Sequence, residues 1–168
     1  MELQFLEFLE SIHSPILDKI MVFITSLGNG GIVWIVIALI LFFQRDKKYK
    51  REALCISLGL IIFSIIGLLI LKPLIGRPRP FTVGNFDLLI KKPMGSSFPS
   101  GHTGSSFAAA WGIFHFRKKE GILALILACL IGFSRMYLSV HYPTDVLAGI
   151  VVGILSSIGA RTLVKKYV

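Results

Sequence analysis

Apolar positions in this chain come in long blocks, not in the alternation or narrow stripes of a soluble fold. The blocks at 52–71, 100–116, 121–139 and 144–163 approach or meet the ~20 apolar residues that a helix needs to cross the hydrocarbon core. A fifth runs from Ile24 to Phe43, weakened at Gly28-Asn29-Gly30-Gly31 but strongly apolar from Ile32 onward. Lipid offers no partner for backbone polar groups, so each block is predicted to be helical. In the first 23 residues the apolar Leu3, Phe5, Leu6, Phe8, Leu9 and Ile12 are interleaved with Glu2, Glu7 and Glu10. That rough helical period, followed by Pro15, predicts one or two amphipathic helices lying at the membrane interface. A sixth span from Pro15 to Leu27 is the alternative, with its length against it. The expected fold is therefore all-α: a single-domain polytopic membrane helix bundle over residues 1–168, with five spans plus N-terminal interfacial helices.

Composition agrees with the pattern. Of the 168 residues, 54% are hydrophobic, the mean hydropathy is +0.77, and a soluble domain is typically less apolar. The acidic Glu2, Glu7 and Glu10 stand where a cleavable signal would be basic, so none is expected. Cys55 and Cys129 fall inside apolar blocks and read as small buried hydrophobes. Gly149, Gly153 and Ser157 recur every four residues, and a small-residue run follows Gly104; both favour close helix packing.

The net charge of +9 first suggests nucleic acid or an anionic membrane. Its distribution disfavours nucleic acid. Arg45, Lys47, Lys48, Lys50 and Arg51 form one cluster, Arg117, Lys118 and Lys119 a second, and Arg161, Lys165 and Lys166 a third. Counting five spans puts all three on one side, which the positive-inside rule makes cytoplasmic. Residues 72–99 and 140–143 then face the outer (periplasmic or extracellular) side of the cell membrane.

Those outward segments and the adjoining helix ends hold the chemically interesting residues: Lys72 with Arg79-Pro80 after six residues, Pro99-Ser100-Gly101-His102, and Ser134-Arg135 followed by His141 and Asp145. Lys72, Arg79 and Arg135 are cations at the outer ends of spans, where a charge is costly and points to function. Arg presents a planar fork to phosphate oxygens, and Lys a compact charge. Ser100 suits a helix N-cap, Gly101 allows close backbone approach, and a helix N-terminus itself attracts anions. Asp145, four residues after His141, would fix the imidazole tautomer and stabilise its cationic form, making His141 the nucleophile. His102 would protonate the leaving oxygen and later activate water. The cations would stabilise the transferring group in place of a metal. No clustered Cys, His or carboxylate ligands appear, so neither a metal nor a cofactor is expected.

In this order and spacing the three segments resemble the signature motifs of the type 2 phosphatidic acid phosphatase family, which shares its site with vanadium haloperoxidases. No signature position departs from the pattern, and the likeness extends over roughly residues 16–163. The resemblance implies a metal-independent lipid phosphatase acting through a phosphohistidine. It assigns phosphate binding to Lys72, Arg79, Ser100, Gly101 and Arg135, the acid to His102, the nucleophile to His141 and its orienting carboxylate to Asp145. Among bacterial members of this kind, undecaprenyl diphosphate is the first choice of substrate. Phosphatidylglycerol phosphate, phosphatidic acid and a lipid A phosphate are the alternatives. A vanadate-dependent haloperoxidase and a non-catalytic lipid-binding protein are the rivals from other classes. Arg77 lies just outside the motif pattern and is assigned no role. Lys91 and Lys92 read equally as headgroup attractants or as a solvated pair. His13 and His115 lack partners at useful spacing and read as interface residues. The motifs do not rank the lipid, and the oligomeric state is open.

Overall fold

The computed structural model describes residues 1–167. Helices α1 (Glu2–Ser11), α2 (Pro15–Leu27), α3 (Ile32–Phe42), α4 (Lys47–Phe63), α5 (Lys72–Ile75), α6 (Pro80–Val83), α7 (Gly101–Phe116), α8 (Lys118–Tyr137) and α9 (Pro143–Tyr167) follow one another, with no strand among the described residues. Local signals start several of them. Asp46 accepts a hydrogen bond from the Lys48 N–H at the head of α4, and Pro15 and Pro143 take first-turn positions whose missing N–H costs nothing.

Three helical stretches, Lys47–Val83 (interrupted between Ile75 and Pro80), Lys118–Tyr137 and Pro143–Lys166, are long and apolar enough to cross a membrane. The first includes a π-helical turn region at Ser64–Leu71 that joins α4 to α5. A fourth crossing of sufficient length is made only by α2 and α3 together, bent by 42° at their junction. The block expected from Ile24 to Phe43 is thus the second part of a longer, broken element that begins at Pro15. Gly30 and Gly31 make the break, with φ of 58° and 68°, a left-handed conformation that glycine adopts without a Cβ clash. Helix α7 has 16 residues, about 24 Å at 1.5 Å per residue, which is short for a crossing. It lies at the centre of the bundle, against α4, α8 and α9.

Small residues let α9 approach α7. A Cβ on Gly149 would stand 2.9 Å from the Ser100 carbonyl oxygen, and one on Gly153 would stand 2.4 Å from that of Gly104. The stripe at 149, 153 and 157 is therefore a seam where backbones nearly touch. Above α7, Trp34 donates to the Ser106 hydroxyl at 3.0 Å and ties α3 to the centre.

Helix α1 is amphipathic, as expected. Leu6 and Leu9 are buried with Tyr142 against α8, while Phe5, Phe8 and Ile12 remain exposed. Two smaller expectations need correction. Cys55 is buried, but Cys129 is exposed on an outward face of α8. His13 does have partners: its Nε2 lies 3.0 Å from the Tyr137 carbonyl oxygen and its ring stacks on Tyr137 at 4.2 Å. These contacts are invisible to sequence spacing because His13 and Tyr137 lie 124 positions apart. His115 stands edge-on to Trp111, and Lys91 and Lys92 are exposed.

Candidate active site

The three motif segments meet at one end of the bundle. Helix α7 starts at Ser100, whose hydroxyl accepts from the Thr103 N–H at 3.5 Å and from the Thr103 hydroxyl at 2.9 Å. The Ser100 N–H donates to the Asp145 carbonyl at 3.0 Å. That bond locks the head of α7 to the head of α9, and the glycine seam below it keeps the two heads in register.

His141 sits in the turn between α8 and α9 and is 2% exposed. Arg79 Nη1 donates to His141 Nε2 at 3.3 Å. A guanidinium cannot accept, so Nε2 carries the lone pair and Nδ1 the proton in the neutral ring. Nδ1 faces Asp145 Oδ2 at 3.5 Å and the Ser97 hydroxyl at 3.4 Å. Burial first of all, reinforced by the charges of Arg135 and Arg79, pushes His141 down to about 3, although Asp145 pulls it upward. The imidazole is therefore neutral with an available Nε2 lone pair, the form a nucleophile needs.

Asp145 is fully buried and heavily engaged. Its Oδ2 accepts from the Ser97 hydroxyl at 2.5 Å and from the Tyr142 N–H at 2.9 Å; its Oδ1 accepts from Arg77 at 2.8 Å. The sequence alone pairs Asp145 with His141. The structure adds Ser97 beside both and places Arg77 on the far oxygen. Arg77 bridges further, to Thr144 at 2.6 Å and Glu2 at 2.6 Å, and its guanidinium covers the Tyr142 ring at 3.8 Å. Burial alone would raise Glu2, but the hydrogen bonds from Thr144 and Arg77 outweigh it and hold the carboxyl below its ordinary value.

The remaining cations surround this core. Arg79 is fixed by the carbonyls of Gly95, Val140 and Met94. Lys72 Nζ lies 3.4 Å from the Pro99 carbonyl. Arg135 is buried, donates to the Thr25 hydroxyl at 2.6 Å, and keeps its Nε without any hydrogen-bond partner. An unpaired donor on a buried cation is costly, and an anionic oxygen would satisfy it. His102 stands on the other side, its Nε2 3.0 Å from the Asn29 side-chain oxygen. A cavity of about 240 Å³ opens beside Gly101 and His102. It shares the walls Ile35, Leu60 and Ser64 with an apolar groove between α3 and α4. Ser64 and Leu68 come from the π-helical stretch, a feature often found at functional sites.

All eight residues predicted from the sequence are gathered at this end. Arg77, Ser97 and Asn29 are the additions. Arg77 lies just outside the motif pattern, between Gly76 and Pro78, and its position carried no spacing signal. Ser97 and Asn29 reach the site from loops whose paths the hydropathy pattern does not encode. Among the described residues, no group of three or more His, Cys, Asp or Glu comes together.

Fold and site together define a membrane-embedded lipid phosphatase. Residues 52–168 match the PAP2 superfamily, and the chain belongs to it. It is 35% identical over 145 residues to undecaprenyl-diphosphatase BcrC of Bacillus subtilis, covering 85% of this chain and 72% of that one. It is 33% identical over 163 residues to the lipid A 4'-phosphatase of Bacteroides thetaiotaomicron, covering 89% and 71%. The crystal structure of a transmembrane PAP2-type phosphatidylglycerolphosphate phosphatase from Bacillus subtilis superposes with a TM-score of 0.81 at 27% identity, over 99% of this chain and 86% of that one.

Proposed function

We propose that the chain hydrolyses the terminal phosphate of undecaprenyl diphosphate, through a phosphohistidine at His141 and without a metal, on the outer face of the cell membrane. The observation that carries the mechanism is the polarity of His141: Nε2 is turned to a cation that can only donate, and Nδ1 is turned to Asp145. His141 Nε2 attacks phosphorus as the bond from phosphorus to the bridging oxygen breaks. Arg79 exchanges its bond with Nε2 for one with a phosphate oxygen, while Lys72, Arg135 and the N–H groups at the head of α7 take the others. The Nδ1 proton stays in place, and Asp145 stabilises the cationic phosphoimidazole. The anionic substrate beside His102 favours its protonated form, and that imidazolium gives its proton to the bridging oxygen, releasing undecaprenyl phosphate. It then accepts a proton from the water that attacks phosphorus, freeing inorganic phosphate and His141.

The substrate assignment rests on the BcrC similarity and on the groove between α3 and α4, which leads from His102 toward lipid. The leaving oxygen must face the acid, so the tail belongs on the His102 side. Similarity to the phosphatidylglycerolphosphate phosphatase supports phosphatidylglycerol phosphate as a second reading. The outward orientation rests on the three basic clusters at the other end of the bundle.

Phosphate release in detergent from undecaprenyl diphosphate, phosphatidylglycerol phosphate, phosphatidic acid and lipid A tests the substrate, with the highest kcat/KM expected for the first. Release that persists in His141→Ala overturns the phosphohistidine. Activity lost to a chelator and restored by a divalent ion overturns the metal-free mechanism. An impermeant maleimide should label Lys91→Cys on intact cells; protection of that position overturns the orientation.

A further inference from the structure

Helix α9 carries the catalytic carboxylate near one end and cations near the other. On α9, Asp145 and Arg161 are 16 positions apart in the same helix, roughly 24 Å at 1.5 Å per residue. At that far end α4, α7 and α9 enclose a cavity of about 200 Å³ lined by Arg51, His115, Phe116, Arg161, Val164 and Lys165. Its charged members are all cationic, and it shares no residue with the site around His141.

Two features separate this cavity from cations that merely reach toward water. Arg51 Nε and His115 Nε2 are both buried there and have no hydrogen-bond partner. The nearby carboxylates are also committed elsewhere: Glu52 takes a two-pronged contact from Arg117, and Glu120 pairs with Arg117 at 3.6 Å. No ion pair involving Arg51, Arg161 or Lys165 is formed among the described residues. Like charges converging on a partly enclosed space repel, and a buried donor without an acceptor adds to the cost. An anion with several acceptor oxygens removes both penalties. Arg guanidinium groups match a tetrahedral oxyanion particularly well. Phe116 and Val164 supply an apolar part of the lining, which suits the glycerol side of a headgroup.

We propose that this cavity is a second, non-catalytic phosphate site, occupied by the phosphate of an anionic phospholipid headgroup in the leaflet opposite the active site. It stands on residues that the hydrolysis does not use, so it survives or fails independently of the substrate assignment. Free inorganic phosphate has the same recognition chemistry, and two probes separate the sources. Phosphatidylglycerol retention by the full chain is counted by native mass spectrometry, with phosphatidylcholine as control. Radiolabelled inorganic phosphate is measured by equilibrium dialysis. In at least one of the two, the wild type should hold one more equivalent than Arg51→Gln/Arg161→Gln, with affinity at that site reduced at least tenfold in the variant. An additional equivalent seen only with phosphatidylglycerol assigns a lipid headgroup; one seen with inorganic phosphate assigns the free ion. Lys165→Gln, on the exposed rim, should weaken the same site several-fold and serves if the double variant does not fold. Retained hydrolysis by either variant shows that the bundle is intact. Equal stoichiometry and affinity in wild type and variants with both probes overturns the proposal.

Discussion

Replacing Arg77 with Met separates orientation of the catalytic carboxylate from the rest of the site. The substitution removes the 2.8 Å bond to Asp145 Oδ1 together with the bridges to Thr144 and Glu2, but leaves the Ser97 and Tyr142 bonds to Oδ2. A hydrogen bond to a charged group contributes ~1.5–3 kcal/mol. At 1.36 kcal/mol per factor of ten, its full expression in the barrier would lower kcat by roughly 10- to 150-fold. Arg77 is 25% exposed, so water replaces part of the interaction and about tenfold is expected. The second consequence has a definite sign. With Arg77 gone, Asp145 pulls harder on the His141 proton, so the imidazole rises from about 3 toward its ordinary value. The acid limb of kcat/KM must then move to higher pH. Phosphate release measured from pH 4 to 9 checks both, and Arg77→Lys, which keeps the charge but not the fork, should recover part of kcat. A variant with wild-type kcat and an unmoved acid limb would refute the idea that Arg77 positions Asp145.

Three further outcomes follow from the geometry. Asn29→Ala frees His102 from its 3.0 Å partner and should reduce kcat by about two- to tenfold, the value of one neutral hydrogen bond, with little change in KM. Gly153→Ala places a methyl 2.4 Å from the Gly104 carbonyl oxygen; forcing α7 and α9 apart should cost about 1–3 kcal/mol, read as a lower Tm in detergent. His141 is held neutral and binds its proton less readily folded than unfolded. Its contribution to stability is therefore complete above about 6.5 and is lost as pH falls toward 3, at ~1.4 kcal/mol per pH unit; the acid slope of Tm should flatten in His141→Asn.

The sequence was most informative where chemistry demands particular residue types. His141, Asp145, His102 and the cations Lys72, Arg79 and Arg135 could be picked out because charged groups at the ends of apolar blocks are costly unless used. The seam at Gly149 and Gly153 was equally legible, since small residues at a spacing of four have one common purpose in a bundle. What escaped were partners supplied across long loops. Ser97 reaches His141 and Asp145 from an irregular segment, and Asn29 reaches His102 from the break between α2 and α3, where the hydropathy pattern only weakens. Arg77 was visible as a charge but not as a clamp, because its partners Glu2 and Asp145 lie far away in sequence. Cys129 was misjudged for a different reason: hydropathy shows that a helix is apolar, not which of its faces meets lipid and which meets protein.

The contact between Glu2 and Arg77 also has a practical side. Met1 is fully exposed, and the next residue is tied by Arg77 to the oxygen of Asp145 opposite the His141 contact. Any peptide fused ahead of Met1 would therefore emerge beside the Glu2–Arg77 link that holds Asp145. Purification tags, reporters and tethers belong at the other terminus, and a kinetic constant measured with an N-terminal fusion describes the fusion as much as the enzyme.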